Sequence, residues 1–134
     1  MRPSLTHIAL HCEDLDASIA FYRDYCGMGI GHDRTDAPTG DRVVWMAEPG
    51  KEKEFVIVMI SGGRTRPQPD ADLSHLGFAV ETREEVDAIA RRAETDGRLA
   101  WPARQEPYPV GYFCGVRSPE GIIIEFSFDQ PLGN

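Results

Sequence analysis

The chain is written twice. Thr6-His7-Ile8-Ala9-Leu10 stands beside Ser74-His75-Leu76-Gly77-Phe78 at an offset of 68 residues, and Val56-Ile57-Val58-Met59 stands beside Ile123-Ile124-Glu125-Phe126 at an offset of 67. Repeats that stack into solenoids have periods of roughly 20–50 residues, so this one is too long for that architecture. Two copies in 134 residues instead predict two half-sheets, each backed by a helix, that pair about a pseudo-twofold axis and cup a shared cleft.

Each copy carries the same order of local signals. In the first, residues 5–12 are apolar with β character, and Asp14 is a helix N-cap followed by the carboxylate of Asp16. Ile19, Ala20, Tyr22 and Tyr25 share a helical face over 15–25, and Gly27 stops the helix. Strands are expected near 28–33, 43–47 and 55–60, separated by a polar loop at 35–41 and a turn at 48–53. In the second copy, 73–80 reads as a strand, and Thr82 with Glu85 forms a capping-box pattern. Val86, Ile89, Ala90 and Ala93 make the helical stripe that Gly97 ends, and strands follow at 98–103, 110–116 and 122–128. Residues 62–72 are rich in Gly, Pro, Arg and Asp and read as a linker. The expected fold is α+β: two βαβββ modules, 4–61 and 73–129, forming a cupped, mostly antiparallel mixed sheet around a central cleft, in one domain spanning 1–134.

Charge narrows the function. With 14 Lys and Arg against 22 Asp and Glu, the net charge of −8 argues against a nucleic-acid partner, which needs a basic face. It suits a small-molecule ligand, a cationic one included. No run approaches the roughly 20 apolar residues of a membrane span, and the N-terminal Met-Arg-Pro-Ser-Leu-Thr lacks the apolar core of a secretion signal. Three cysteines, Cys12, Cys26 and Cys114, lack metal-site spacing and read as reduced, mostly buried thiols of a cytoplasmic protein.

Side chains alternate across a strand. If Ile8 and Leu10 pack on the helix, His7, Ala9 and His11 share the cleft face. Likewise Leu76 and Phe78 leave His75, Gly77 and Ala79 on the cleft face, and the last strand puts Ile123, Glu125 and Ser127 together. A carboxylate set among Ile122, Ile123, Ile124 and Phe126 costs several kcal/mol if buried without a partner. The repeat offers partners, because His7 and His75 occupy matched positions. Two imidazoles and one carboxylate with open coordination sites are the ligand set of non-haem Fe(II), and Mn(II), Ni(II), Co(II) and Zn(II) also accept N/O donors. The expected centre is one divalent metal ion on His7, His75 and Glu125; the plainer alternative is a polar cluster without metal. Glu125 has its counterpart at Val58, so a fourth symmetric ligand is missing.

The residues also carry a resemblance. Thr6-His7-Ile8-Ala9-Leu10, Ser18-Ile19-Ala20-Phe21-Tyr22-Arg23-Asp24 and Gly27-Met28 resemble the first module of glyoxalase I and of fosfomycin-resistance proteins. Ser74-His75-Leu76-Gly77-Phe78-Ala79-Val80 resembles the opening of the second module, and Ser118-Pro119-Glu120-Gly121 leading to Glu125 resembles its close, with Ser118 where Asp is commoner. The chain is similar over nearly its whole length to the vicinal-oxygen-chelate superfamily, which includes the glyoxalase, bleomycin-resistance and extradiol dioxygenase proteins. The resemblance implies metal ligands at His7, His75 and Glu125, and a homodimer. It places a glyoxalase I ligand at Val58, which argues against ordinary glyoxalase I chemistry. It places a dioxygenase tyrosine at Gly115, and no basic cluster for a phosphonate appears, Arg64 and Arg66 being near only in sequence.

Further candidates follow from position alone. His11 is about 13 Å along the strand from His7, beyond reach of the same ion, and is a candidate base or rim residue. Trp45 and Tyr112 lie on middle strands as candidate substrate contacts, Tyr112 also as a catalytic group, and Arg117 is a candidate for an anionic substrate group. His32 reads as a surface residue. Two functions are expected to compete: a metal-dependent lyase, isomerase or dioxygenase acting on a small oxygen-bearing substrate, and a metal-free protein that sequesters a small molecule as bleomycin-resistance proteins do.

Overall fold

A computed structural model describes residues 2–133. Its element order is β1 (His7–Cys12), α1 (Leu15–Cys26), β2 (Gly29–Thr35), β3 (Arg42–Ala47), β4 (Val56–Ser61), β5 (His75–Ala79), α2 (Arg83–Thr95), β6 (Leu99–Glu106), β7 (Gly111–Arg117) and β8 (Ile123–Phe128). This is βαβββ twice. The chain divides into two compact units, Met1–Arg66 and Pro67–Asn134, and the division falls inside the expected linker. No helix among the described residues is long and apolar enough to cross a membrane.

Both helices start where the sequence signals them. The Asp14 side chain accepts from the Ala17 amide at 3.0 Å, and Gly27 closes α1 in the left-handed region at φ 68°. Thr82 and Glu85 form a complete reciprocal capping box on α2, which satisfies amides that a helix start otherwise leaves unbonded.

Each unit holds one four-stranded mixed sheet, ordered β1-β4-β3-β2 and β5-β8-β7-β6. In each, the first strand pairs parallel with the last, and the remaining pairs are antiparallel. The repeat persists in the register. Ala9 pairs with Val58 in the first unit, and Gly77 pairs with Glu125 in the second. Tyr22, Val44, Met46 and Met59 fill the first core, and Val86, Val116, Ile124 and Phe126 the second. Ile8 and Leu10 are half-buried while His7, Ala9 and His11 are exposed, and β5 repeats this alternation.

Two differences from the expected elements have local causes. Strand β6 runs on to Glu106 through Pro102, because it is the edge strand of its sheet, where a missing ladder donor is tolerated. Its pairing with β7 shifts register on both sides of Trp101. The second half of the linker is built into its unit. The Gln68 amide N–H donates to the Gly121 carbonyl at 2.9 Å, and its side chain accepts from the Ile123 amide.

Cys12 and Cys114 are fully buried, Cys26 is half-buried, and none forms a disulfide. Burial, helped by the charges of Asp87 and Glu125, pushes the Cys114 thiol up to about 12. A raised thiol value keeps the proton on the folded chain. The associated stability is whole below the ordinary thiol range and is lost as pH rises through that range toward the raised value. In the native protein at mildly alkaline pH, a disulfide reagent is expected to titrate Cys26 rapidly and the other two only after denaturant is added. Rapid labelling of Cys114 in the native state, located by peptide mass spectrometry, would contradict this burial.

Candidate metal-ligand site

The second unit holds a buried carboxylate facing an imidazole. Glu125 lies on β8, an interior strand, and is 7% exposed. Its Oε2 is 3.7 Å from His75 Nε2. The other imidazole nitrogen, Nδ1, is 2.7 Å from the Leu73 carbonyl oxygen. A carbonyl only accepts, so Nδ1 donates to it and Nε2 is the nitrogen that faces the carboxylate. That contact is an ion pair when the ring is protonated and a matched pair of ligand atoms for a cation when it is not. Donors that share an ion through bonds of about 2.0–2.2 Å stand no more than roughly 4.3 Å apart, so this pair fits one metal ion. Gln130 adds a donor, its Nε2 lying 3.4 Å from Glu125 Oε2.

Glycine flanks the carboxylate on both neighbouring strands, Gly77 on β5 and Gly115 on β7. A β-carbon at Gly77 would lie 3.4 Å from Glu125 Oε2, and one at Gly115 would lie 2.6 Å from the ring of Trp101. Trp101 thus occupies the space a side chain at position 115 would take. Its ring meets His75 edge-on at 5.3 Å between centroids and Phe113 edge-on at 6.3 Å. Sequence reasoning missed Trp101. The available signal was Gly115, since glycine inside a strand marks a close approach by another group.

His7 lies in the first unit. The Thr6 hydroxyl is 2.9 Å from His7 Nδ1, so the imidazole is held through that nitrogen and Nε2 is left for other partners. His7 also lines a cavity of about 410 Å³ together with Thr6, Trp45, Phe55, Val56, Val58 and the 52–54 segment. Trp45 is braced by His32, with ring centroids 5.1 Å apart. Among the described residues, no group of three or more His, Cys, Asp or Glu side chains is gathered where it could hold an ion. The expected three-ligand set is therefore represented by the His75–Glu125 pair in one unit and by His7 in the other.

Three further candidates have structural partners that change their reading. Tyr112 points toward α2: its hydroxyl donates to the Asp87 carboxylate, and the Arg83 guanidinium lies over its ring at 3.7 Å. That hydrogen bond, foremost, raises the phenol above its usual range. Tyr112 stands on the opposite face of β7 from Gly115, which pairs with Glu125, and its contacts with Asp87 and Arg83 anchor α2 on the sheet. Arg117 donates to the Gln68 carbonyl at 3.2 Å and to Asp70 at 3.3 Å, so it ties down the connecting segment. His11 Nε2 donates to the Ser61 carbonyl at 3.1 Å, and Gly63 packs against it so closely that a β-carbon there would overlap the residue. Its expected role as a base gives way to closing the end of β1. Arg64 and Arg66 are exposed.

The family model for the glyoxalase/bleomycin resistance protein/dioxygenase superfamily matches residues 4–126. The chain is 54% identical over 133 residues to the uncharacterized protein PA2024 of Pseudomonas aeruginosa, covering 99% of this chain and 94% of that one. Among solved structures, a mutant of the fosfomycin resistance protein FosX from Listeria monocytogenes, complexed with Mn(II) and a dihydroxypropylphosphonic acid, superposes with a TM-score of 0.72 at 21% identity, over 95% of this chain and 93% of that one. Glyoxalase I of Leishmania major superposes with a TM-score of 0.71 at 21% identity, over 96% and 88% of the two chains. At these identities the superpositions speak for the fold.

Substituting Gly115→Ala tests the packing around His75. The added methyl is expected to displace the Trp101 indole, lowering stability by about 1–3 kcal/mol as overpacking does and red-shifting tryptophan emission. Unchanged emission and an unchanged melting temperature would refute the close approach.

Proposed function

Because the chain belongs to the glyoxalase/bleomycin resistance protein/dioxygenase superfamily, we propose that it is a metal-dependent enzyme whose ion is held by His75, Glu125 and His7. The observation that carries this reading is the geometry of the His75–Glu125 pair. The Leu73 carbonyl engages Nδ1, which leaves Nε2 facing a buried carboxylate at 3.7 Å.

Bound in this set, a divalent ion (Fe(II), Mn(II), Ni(II), Co(II) or Zn(II)) supplies Lewis-acid polarisation of substrate oxygens and, in the case of Fe(II), dioxygen chemistry. The protein's own groups do the rest. Glu125 contributes the negative charge of the site, and Gln130 orients its carboxylate. The Leu73 carbonyl and the Thr6 hydroxyl orient the two imidazoles, as outer partners of ligating histidines do. Trp45 is the wall of a substrate cavity that reaches His7. Val58 supplies no carboxylate at the position matching Glu125, so isomerase chemistry of the glyoxalase I type lacks its base, and lyase or dioxygenase chemistry on a small oxygen-bearing molecule is the better fit.

We read His7 as joining the pair from the first unit of the same chain or of a second copy. The exposed faces of β1 and β5 support a homodimer, because they leave His7, Ala9, His75 and Gly77 open to a partner surface. The buried thiols suit a reducing cytoplasm. The second reading, a metal-free protein that sequesters small molecules, is favoured by the cavity lined by Trp45, Phe55 and Val58.

Elemental analysis separates the two. Protein purified without chelator is expected to carry about one divalent ion per chain, and His75→Ala to lose it together with activity, since a ligand is gone. Protein with no ion in either form, whose ligand binding ignores chelator, would establish the sequestering function instead.

A further inference from the structure

The cavity beside His7 has a composition that selects a shape of ligand. Its volume of about 410 Å³ lies in the range of small-molecule sites, about 300–1,000 Å³. Trp45 and Phe55 are left 39% and 37% exposed, although both are large aromatic residues that folding would ordinarily bury more fully. Val56 and Val58 complete an apolar floor on β4.

Trp45 is exposed yet held. His32 packs against its ring, His32 Nε2 accepts from an Arg34 guanidinium nitrogen at 3.1 Å, and Arg34 is paired with Asp36 at 2.8 Å. A relay of three side chains, Asp36, Arg34 and His32, therefore braces one indole. Bracing of this kind fixes a side chain's rotamer before a ligand arrives, which reduces the entropy lost on binding. His32 and Trp45 are directly opposed across β2 and β3, so the contact also stabilises the sheet edge; it leaves a fixed indole on an open surface, where a bound group can use it.

The rim carries one excess negative charge, Glu52 and Glu54 standing against Lys53. The Glu52 carboxylate is held below its usual range by its own backbone amide, foremost, and by the Gly50 amide at 3.0 Å. That single excess charge sits on exposed side chains, where solvent and salt screen it, so the apolar floor and the indole set the shape of the ligand.

We propose that this cavity binds the uncharged, planar aromatic part of the ligand, stacked on Trp45. The inference deepens the proposed function and rests on it only for the placement of substrate oxygens toward the ion; the aromatic preference belongs to the first unit's own walls.

The test compares naphthol with its fully saturated analogue, decahydronaphthol, which is similar in size and polarity but puckered. Binding to the full-length protein is followed by calorimetry, with and without chelator. The wild type is expected to prefer naphthol by roughly tenfold, the scale of one good aromatic contact. Trp45→Ala is expected to abolish the preference, and Trp45→Phe to keep most of it. Circular dichroism confirms folding of both variants, and His32→Ala provides a check that leaves the indole in place. Weaker naphthol binding in His32→Ala, with decahydronaphthol unchanged, supports the bracing relay. An equal preference in wild type and Trp45→Ala overturns the inference, as does the absence of saturable naphthol binding. So does naphthol binding that disappears as protein concentration rises, which would make this face a contact between copies. A preference that persists in chelator, in protein that never takes up an ion, supports the aromatic site and sinks the metal reading alone.

Discussion

A carboxylate on an interior β-strand sets the terms for the second unit. Glu125 is almost wholly withdrawn from water, and a buried charge without partners is among the costliest features a fold can carry. Its surroundings are arranged accordingly. Both lateral neighbours in the sheet are glycine, the His75 imidazole faces the carboxylate through Nε2, and the Gln130 amide reaches back from beyond β8. The space beside Gly115 is filled by the Trp101 indole, which packs on the same imidazole.

The first unit shows what the same ladder becomes without that charge. The row Gly77–Glu125–Gly115 across β5, β8 and β7 corresponds to Ala9–Val58–Trp45 across β1, β4 and β3. Register is preserved, and chemistry is exchanged. Where one row gathers polar donors in room left by glycine, the other builds an apolar floor and wall beside a histidine. Duplication supplied two equivalent frames, and divergence gave one a buried carboxylate beside an imidazole and the other an apolar cavity beside a histidine.

Much of this was legible in the sequence, because it depends on local or periodic signals. Asp14, Gly27 and the Thr82–Glu85 box mark helix ends through backbone groups only a few residues away, and the two-residue period separates His7 from Ile8 without knowledge of the fold. What stayed hidden depends on pairing. Alternation says that Tyr112 and Cys114 share a face but not which face, and only the pairing of Gly115 with Glu125 puts Tyr112 on the helix side. Arg117 was read as open to a ligand because its partners, Gln68 and Asp70, lie in a segment without periodic pattern. Trp101 and His32 sit on edge strands with irregular register, where counting by twos fails.

The four histidines show how far residue identity falls short of function. His11 spends Nε2 on the Ser61 carbonyl, and His32 spends Nε2 accepting from Arg34. His7 and His75 are held through Nδ1, by a hydroxyl in one case and a carbonyl in the other. An imidazole held through Nδ1 leaves Nε2, the ring nitrogen farther from the backbone, for other partners, whereas one held through Nε2 has that nitrogen engaged. The two anchored at Nδ1 are also the two at matched positions of the repeat, at the first residue of β1 and of β5. Position in the duplication and choice of anchoring atom are independent observations, one from sequence and one from geometry, and they select the same pair.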